Sequence, residues 1–144
     1  MKEQLKLSNQ LCFPLYACAK EVVRSYTPFL EPLGLTYTQY VAMMVLWEHH
    51  SIGVKEMGEL LFLDSGTLTP MLKKMEQRGW LTRERSKSDE RRVVVTITPE
   101  GEQLQERAQD IPWRVAQCVS LGSEDMIELH GLLGKLLNSL KADK

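Results

Sequence analysis

No stretch of these 144 residues is apolar for anything near the roughly 20 positions of a membrane-spanning helix. The opening Met1-Lys2-Glu3-Gln4-Leu5-Lys6 also lacks the apolar run of a secretory signal. Membrane association is therefore not expected, and a cytoplasmic location is. Cysteine is scarce: Cys12, Cys18 and Cys118 stand far apart, with no Cys-x-x-Cys, which excludes a disulfide framework and a dithiol redox motif. Histidine is equally sparse. His49 and His50 are adjacent rather than one helical turn apart and His130 is remote, so no zinc motif is readable and neither a metal nor another cofactor is expected. Low-complexity tracts are absent, and 43% hydrophobic content suits one compact domain, or a domain with an oligomerisation element. That length leaves little room for a separate catalytic domain, and no second catalytic group stands at a recognisable spacing from any nucleophile. An enzyme is not expected.

An overall excess of positive charge is missing too, since the net charge is −1. Its distribution matters more than its sum. Between Lys73 and Arg92 eight cations face four carboxylates, while the remaining residues are net acidic. A basic stripe on an acidic body directs a molecule onto phosphates through one face and repels them elsewhere. Taken alone, such a run is more often a solvated charged surface, so its meaning depends on the elements around it.

Those elements can be read along the chain. From residue 8 to about 30, Leu11, Leu15, Tyr16, Cys18, Ala19, Val22, Val23, Tyr26 and Leu30 recur at helical spacing with a broad buried face. Pro28, Pro32 and Gly34 close that helix or its tail. Thr36 offers an N-cap with Gln39 three positions on, opening a second helix with core residues Tyr40, Val41, Met44, Val45, Leu46 and Trp47. Val54, Met57, Leu60 and Leu61 make a short third helix, and Phe62-Leu63 a turn. Pro70 is best tolerated in the first turn of the next helix, which places residues 64–69 at or just before its N-terminus. Leu68, Leu72 and Met75 form the inward stripe of that helix, and Gly79 ends it.

Residues 80–85 and 92–98 read as two strands joined by a polar loop, 86–91. Thr98-Pro99 then caps and starts another helix, whose apolar side is Leu104, Ala108, Ile111, Val115 and Val119, kinked at Pro112. After Gly122 a last helix carries Met126, Leu129, Leu132, Leu133, Leu136, Leu137 and Leu140, a stripe wider than one small domain needs. Pairing of the first and last helices with those of a second copy is the simplest burial.

A short helix, a turn, a hydroxyl-rich helix start with lysines behind it, and a basic hairpin together form the pattern of a winged helix-turn-helix. The fold class is accordingly mainly α with a small β-wing. One domain over 1–144 is expected, with the winged helix-turn-helix at 51–98 and dimerisation helices at 1–33 and 99–144. Candidate DNA contacts are Ser65, Thr67, Thr69, Lys73 and Lys74 on the helix and Lys87, Asp89, Arg91 and Arg92 on the wing. A dimer would set two such helices on successive major-groove faces of a palindromic double-stranded operator.

This order of elements resembles the MarR family of bacterial transcription regulators, including Ser88-Asp89-Glu90-Arg91-Arg92 at the wing. Asn9-Gln10-Leu11-Cys12-Phe13, Thr36-Tyr37-Thr38-Gln39-Tyr40, Leu46-Trp47-Glu48-His49 and the run from Leu63 to Met71 are similar to the organic hydroperoxide resistance regulators, the OhrR-type repressors. The resemblance implies a homodimeric repressor that releases its operator when organic hydroperoxide, the inducer, oxidises a reactive cysteine.

Cys12 matches that cysteine. If Asn9 caps the first helix, Cys12 lies in its first turn, where the dipole favours the nucleophilic thiolate. Without the resemblance, a lone cysteine on an apolar helix is usually inert packing. Tyr26 and Tyr37 match tyrosines that in the family hold the reactive cysteine of the other subunit, and Tyr16 a residue near that pocket or simply aromatic core. Pro14 departs from the family pattern. Cys18, six positions from Cys12 and on another face, reads as packing. The resemblance implies two fates for oxidised Cys12, a bridge to Cys118 across the dimer or a mixed disulfide with a small thiol. The alternative function is a MarR-type repressor released by a phenolic or aromatic ligand, with Cys12 a bystander.

Overall fold

The computed structural model describes residues Met1–Ala142 and divides into two units, the first ending at Pro112 and the second starting at Trp113. Residues 143 and 144, the tail of the expected 99–144 segment, lie outside the described residues.

Two 3-10 turns, Glu3–Leu5 and Leu7–Asn9, precede α1 (Cys12–Leu30). The expected start at residue 8 moves to Cys12, because Asn9 is engaged elsewhere: its side-chain amide donates to the Glu3 carbonyl at 2.7 Å. The N-cap position is Leu11, which supplies no side-chain cap. Pro14 then falls in the first turn, where a missing amide leaves no intrahelical bond unmade, so its departure from the family pattern costs the helix nothing. The broad buried face expected of α1 is not buried within the described chain. Only Leu30 is, whereas Leu11, Phe13, Leu15, Tyr16, Val22 and Val23 are exposed.

Gly34, in the left-handed conformation at φ 74°, turns the chain into α2 (Tyr37–His49). Thr36 and Gln39 form the expected capping box: the Thr36 hydroxyl accepts the Gln39 amide at 3.2 Å, and the Gln39 side chain accepts the Thr36 amide at 3.0 Å. Tyr40, Ala42, Met43, Val45 and Leu46 are buried, while Met44, expected in the core, is exposed. A strand absent from the sequence reading follows, β1 (Ser51–Gly53), and then α3 (Val54–Leu61).

The next helix, α4 (Ser65–Gln77), is capped by Asp64, whose carboxylate accepts the Thr67 amide at 2.8 Å. Pro70 is not in the first turn as expected but inside the helix. A proline there forfeits the bond to the Gly66 carbonyl and costs roughly 3 kcal/mol. Leu68, Leu72 and Met75, each fully buried, offset it at roughly 1.5–3 kcal/mol apiece. Strands β2 (Leu81–Arg85) and β3 (Val93–Ile97) pair antiparallel, with Arg83 opposite Val95, and β1 adds to the far side of β3, with Ile52 opposite Val95. The sheet order is β1-β3-β2.

Thr98 caps α5 (Pro99–Ala108) by accepting the Gly101 amide at 3.1 Å. In place of one kinked helix, the chain breaks after Ala108 and resumes as α6 (Ile111–Ala116). Pro112 explains the break: it has no amide for the Ala108 carbonyl and serves instead in the opening turn of a new helix. Val119 and Cys118 therefore lie past the end of α6 rather than on it. In the second unit, α7 (Ser123–Ala142) leaves Ile127, Leu129, Leu132, Leu136, Leu137 and Leu140 exposed.

Candidate nucleic-acid interface and sensor residues

The first two turns of α4 present the expected hydroxyls. Ser65 and Thr67 are exposed and Thr69 half-buried, around free amides at the positive end of the helix dipole. On the following turn Lys73 and Lys74 are exposed and form no ion pair among the described residues. The C-terminal half of α4 is fixed to the hairpin by Glu76, which accepts the Arg83 amide at 2.9 Å and its guanidinium at 3.2 Å. Helix and wing are thus tied together at the rear of α4.

The wing is organised around Asp89. Its carboxylate accepts the Arg91 amide at 3.0 Å and its carbonyl accepts the Arg92 amide at 3.0 Å. Asp89 is thereby a brace for the turn, and its negative charge faces the wing's own backbone. Arg85 adds a bond to the Glu90 carbonyl at 2.8 Å. Lys87 and Arg91 are left exposed beside the tip. Arg92 is engaged instead, pairing with Glu56 of α3. That pair sits against Gly53, where a Cβ would come within 1.9 Å of Glu56 Oε2 and 3.1 Å of Arg92 Nη2.

Between α3, α4 and the wing lies a cleft of about 790 Å³, lined by Lys55, Glu56, Ser65, Thr69, Arg91 and Arg92 among others. It brings charged and hydroxyl side chains of three elements together, the kinds of group that contact a duplex backbone. Lys55 and Glu56 were not singled out from the sequence; the acidic residue i+1 from a lysine on a short helix carries no signal until its partner thirty-six positions on is known.

The tyrosines of the expected sensor are brought together. Tyr26 of α1 and Tyr37 of α2 meet edge to face with ring centroids 4.9 Å apart. Tyr40, a further member, is 5.8 Å from Tyr26 and meets Trp47 edge to face at 6.4 Å. Its spacing from Tyr37, one turn along α2, was the available signal. Burial, with the neighbouring Tyr37 phenol second, raises the Tyr26 phenol above its usual 10.0. Burial raises that of Tyr40 to about 12, helped by Tyr26 and Tyr37. Both rings are held neutral, as hydroxyl donors.

Tyr16 stands apart from this cluster, exposed on α1, so a core role within the described chain is not what it has. Cys12 opens α1 and is exposed; Cys18 and Cys118 are exposed as well. Cys18 is thus not packed within the chain as expected, because the α1 face that carries it is uncovered. Cys118 occupies the turn after α6, its amide bonded to the Val115 carbonyl at 2.9 Å.

Comparison with known proteins gives this geometry a context. The sequence family described as transcriptional regulator SarA/Rot matches residues 24–109. The chain is 49% identical over 138 residues to the organic hydroperoxide resistance transcriptional regulator of Bacillus subtilis (strain 168), covering 96% of this chain and 94% of that one. Reduced AbfR bound to DNA superposes with a TM-score of 0.83 at 36% identity, over 98% of this chain and 96% of the other. Disulfide-formed AbfR gives a TM-score of 0.67 at 38% identity, over 94% and 95%. AbfR is a Staphylococcus epidermidis protein.

Proposed function

The chain belongs to the MarR family of transcriptional regulators, in its organic hydroperoxide resistance branch, and from that premise we propose that it is a homodimeric repressor whose operator is released when organic hydroperoxide oxidises Cys12. The observation that carries this reading is Cys12 itself, an exposed thiol in the first turn of α1. No side-chain cap occupies the amides of that turn, so the thiol stands open to an incoming peroxide. Its sulfur attacks the terminal, hydrogen-bearing oxygen of the peroxide and the O–O bond breaks. Sulfur is oxidised by two electrons to the sulfenic acid, and the alkoxide departs and takes a proton to become the alcohol. A thiol, from Cys118 or a small molecule, then condenses with the sulfenic acid to a disulfide and water. The protein works in the cytoplasm, and among the described residues no helix is long and apolar enough to cross a membrane.

DNA is held by the first turns of α4, through Ser65, Thr67 and Thr69, with Lys73, Lys74, Lys87 and Arg91 on phosphates. Asp89 and Arg92 keep the wing in place. The uncovered apolar faces of α1 and α7 are the dimer surface, which makes 1–33 and 99–144 the dimerisation segments around a winged helix-turn-helix at 51–98. Tyr26 and Tyr37 receive the oxidisable cysteine of the partner subunit, and Tyr16 lines the approach.

The test is a gel-shift titration on promoter DNA from this chain's own locus with wild type and Cys12→Ser, before and after stoichiometric organic hydroperoxide. Wild type should lose the DNA and regain it with a thiol reductant, while Cys12→Ser holds it throughout. Release by both proteins, or by neither, would set Cys12 aside and favour a ligand-released repressor. Non-reducing electrophoresis of the same samples separates a Cys118 bridge, seen as a dimer-sized band, from a small-thiol adduct.

A further inference from the structure

The tyrosine cluster is connected to the far end of α4 by a continuous line of close contacts within the first unit. Tyr40 is fully buried and touches both Tyr26 and Tyr37 on one side and the Trp47 ring on the other. The Trp47 indole N–H donates to the Gly101 carbonyl at 2.9 Å, in the first turn of α5. Gly101 in turn lies so tightly on Trp80 that a Cβ on it would stand 2.2 Å from the Trp80 carbonyl oxygen. Trp80 directly follows Gly79, whose φ of 82° turns the chain away just past α4, and the Thr98 hydroxyl and amide grip the carbonyls of both, at 2.5 Å and 3.1 Å.

Each link lacks slack for a different reason. Tyr40 is shut off from solvent and in ring contact with both Tyr26 and Tyr37, so in a close-packed interior a shift of either is passed to its ring. The indole bond is directional and fixes Trp47 to backbone, which cannot swing aside as a side chain can. The Gly101–Trp80 contact is backbone against backbone. A second tie runs beside the first: the Arg78 guanidinium lies 4.5 Å over the Trp80 ring and reaches the Gly34 carbonyl at 3.4 Å, in the turn that separates the helices of Tyr26 and Tyr37.

We propose that Trp47 is a positioning residue that couples the Tyr26–Tyr37 pair to the C-terminal end of α4, so that a rearrangement at the tyrosines tilts the DNA-reading helix from its rear. This rests on the redox reading above. It assigns to Trp47 no contact with DNA, peroxide or Cys12, and therefore separates two quantities that a sensing or binding residue would change together. With Trp47→Phe an aromatic ring stays, smaller than the indole, and the N–H goes. The rate of Cys12 oxidation and the operator affinity of the reduced protein should remain as in wild type, whereas the ratio of oxidised to reduced Kd should fall about tenfold, within the roughly 5–150-fold span of ordinary coupling.

The experiment measures operator Kd by fluorescence anisotropy for full-length wild type, Trp47→Phe and Trp47→His, reduced and after organic hydroperoxide, alongside the rate of thiol loss. His keeps a ring N–H donor and should recover part of the ratio. An undiminished ratio in Trp47→Phe, with wild type releasing DNA normally, overturns the coupling and leaves the redox reading intact. A wild type that keeps its DNA on oxidation overturns the redox reading first, and the coupling with it. Should Trp47→Phe fail to bind DNA when reduced, hydrogen exchange on wild type decides: the Thr98 amide, bonded to the Trp80 carbonyl, should exchange faster after oxidation, and unchanged exchange there rejects the proposal.

Discussion

Glu56 and Arg92 stand 36 residues apart in sequence and join α3 to the base of the wing by an ion pair. The pairing divides two adjacent arginines by function, since Arg91 is exposed beside the wing tip while Arg92 is held back by a carboxylate. An arginine already neutralised releases few counterions when DNA arrives. Arg91→Ala should therefore flatten the slope of log K against log salt by about 0.9 per protomer, and Arg92→Ala by less than half of that. Anisotropy titrations across several salt concentrations give both slopes. Equal losses would mean that Arg92 abandons Glu56 for phosphate in the complex.

Leu132, Leu136 and Leu140 lie on α7 with about half of their surface uncovered, at 54%, 41% and 55%. If that stripe is a dimer surface, Leu132→Glu forces a carboxylate into it and sedimentation should show a shift from dimer to monomer. Operator affinity should fall with it, because one reading helix is left where two acted together. A Leu132→Glu protein that still sediments as the wild type does would place the dimer contact elsewhere.

Gly101→Ala should lower stability even though alanine is the better helix former. The new methyl meets the Trp80 carbonyl oxygen at 2.2 Å and Ile97 Cγ1 at 2.8 Å. Overpacking of this kind costs about 1–3 kcal/mol, against a propensity gain of at most roughly 1 kcal/mol. A Tm several degrees below wild type is expected, and a rise would show that α5 can slide away from Trp80 freely.

The Tyr40 phenol, pushed up from 10.0 to about 12, keeps its proton in the folded chain after the unfolded chain has lost its own. Stability is thus fully present below pH 10 and drains away as pH rises through about 12. Tyr40→Phe removes the titrating group, so chemical denaturation followed across that window should show a shallower decline than in wild type. An identical decline would assign the alkaline transition to other groups.

Much of this was legible in the sequence where the determinants are local. The Thr36–Gln39 box, the Thr98-Pro99 start and the Leu68, Leu72, Met75 stripe each announce themselves within a turn or two, and each is found in place. Where the determinant is distant, the pattern is silent. β1 has only three residues, too few to alternate, and exists because Ser51 to Gly53 find β3 some 40 positions on. Asn9 suits a helix cap by residue type, but Glu3 competes for its side chain and α1 starts at Cys12. Pro70 favours a helix start by its own chemistry, a preference that three buried side chains override. For the same reason the tyrosines can be named singly from sequence, whereas Trp47 reads only as core, its partner Gly101 being 54 residues away.

Gly53 has an ordinary backbone at φ −67°, so nothing in its own conformation demands glycine. The space a methyl would take is filled instead by the ends of the Glu56 and Arg92 side chains, which must swing aside to admit one. A residue that leaves room for two others has a particular evolutionary fate. Gly53, Glu56 and Arg92 should vary together among relatives: lineages that dispense with the ion pair become free to place alanine or serine at the glycine, and lineages that keep it should do so less often. Joint substitution at the three columns, gained or lost as a set, would be the mark left in descent by a contact that no single residue of the trio reveals.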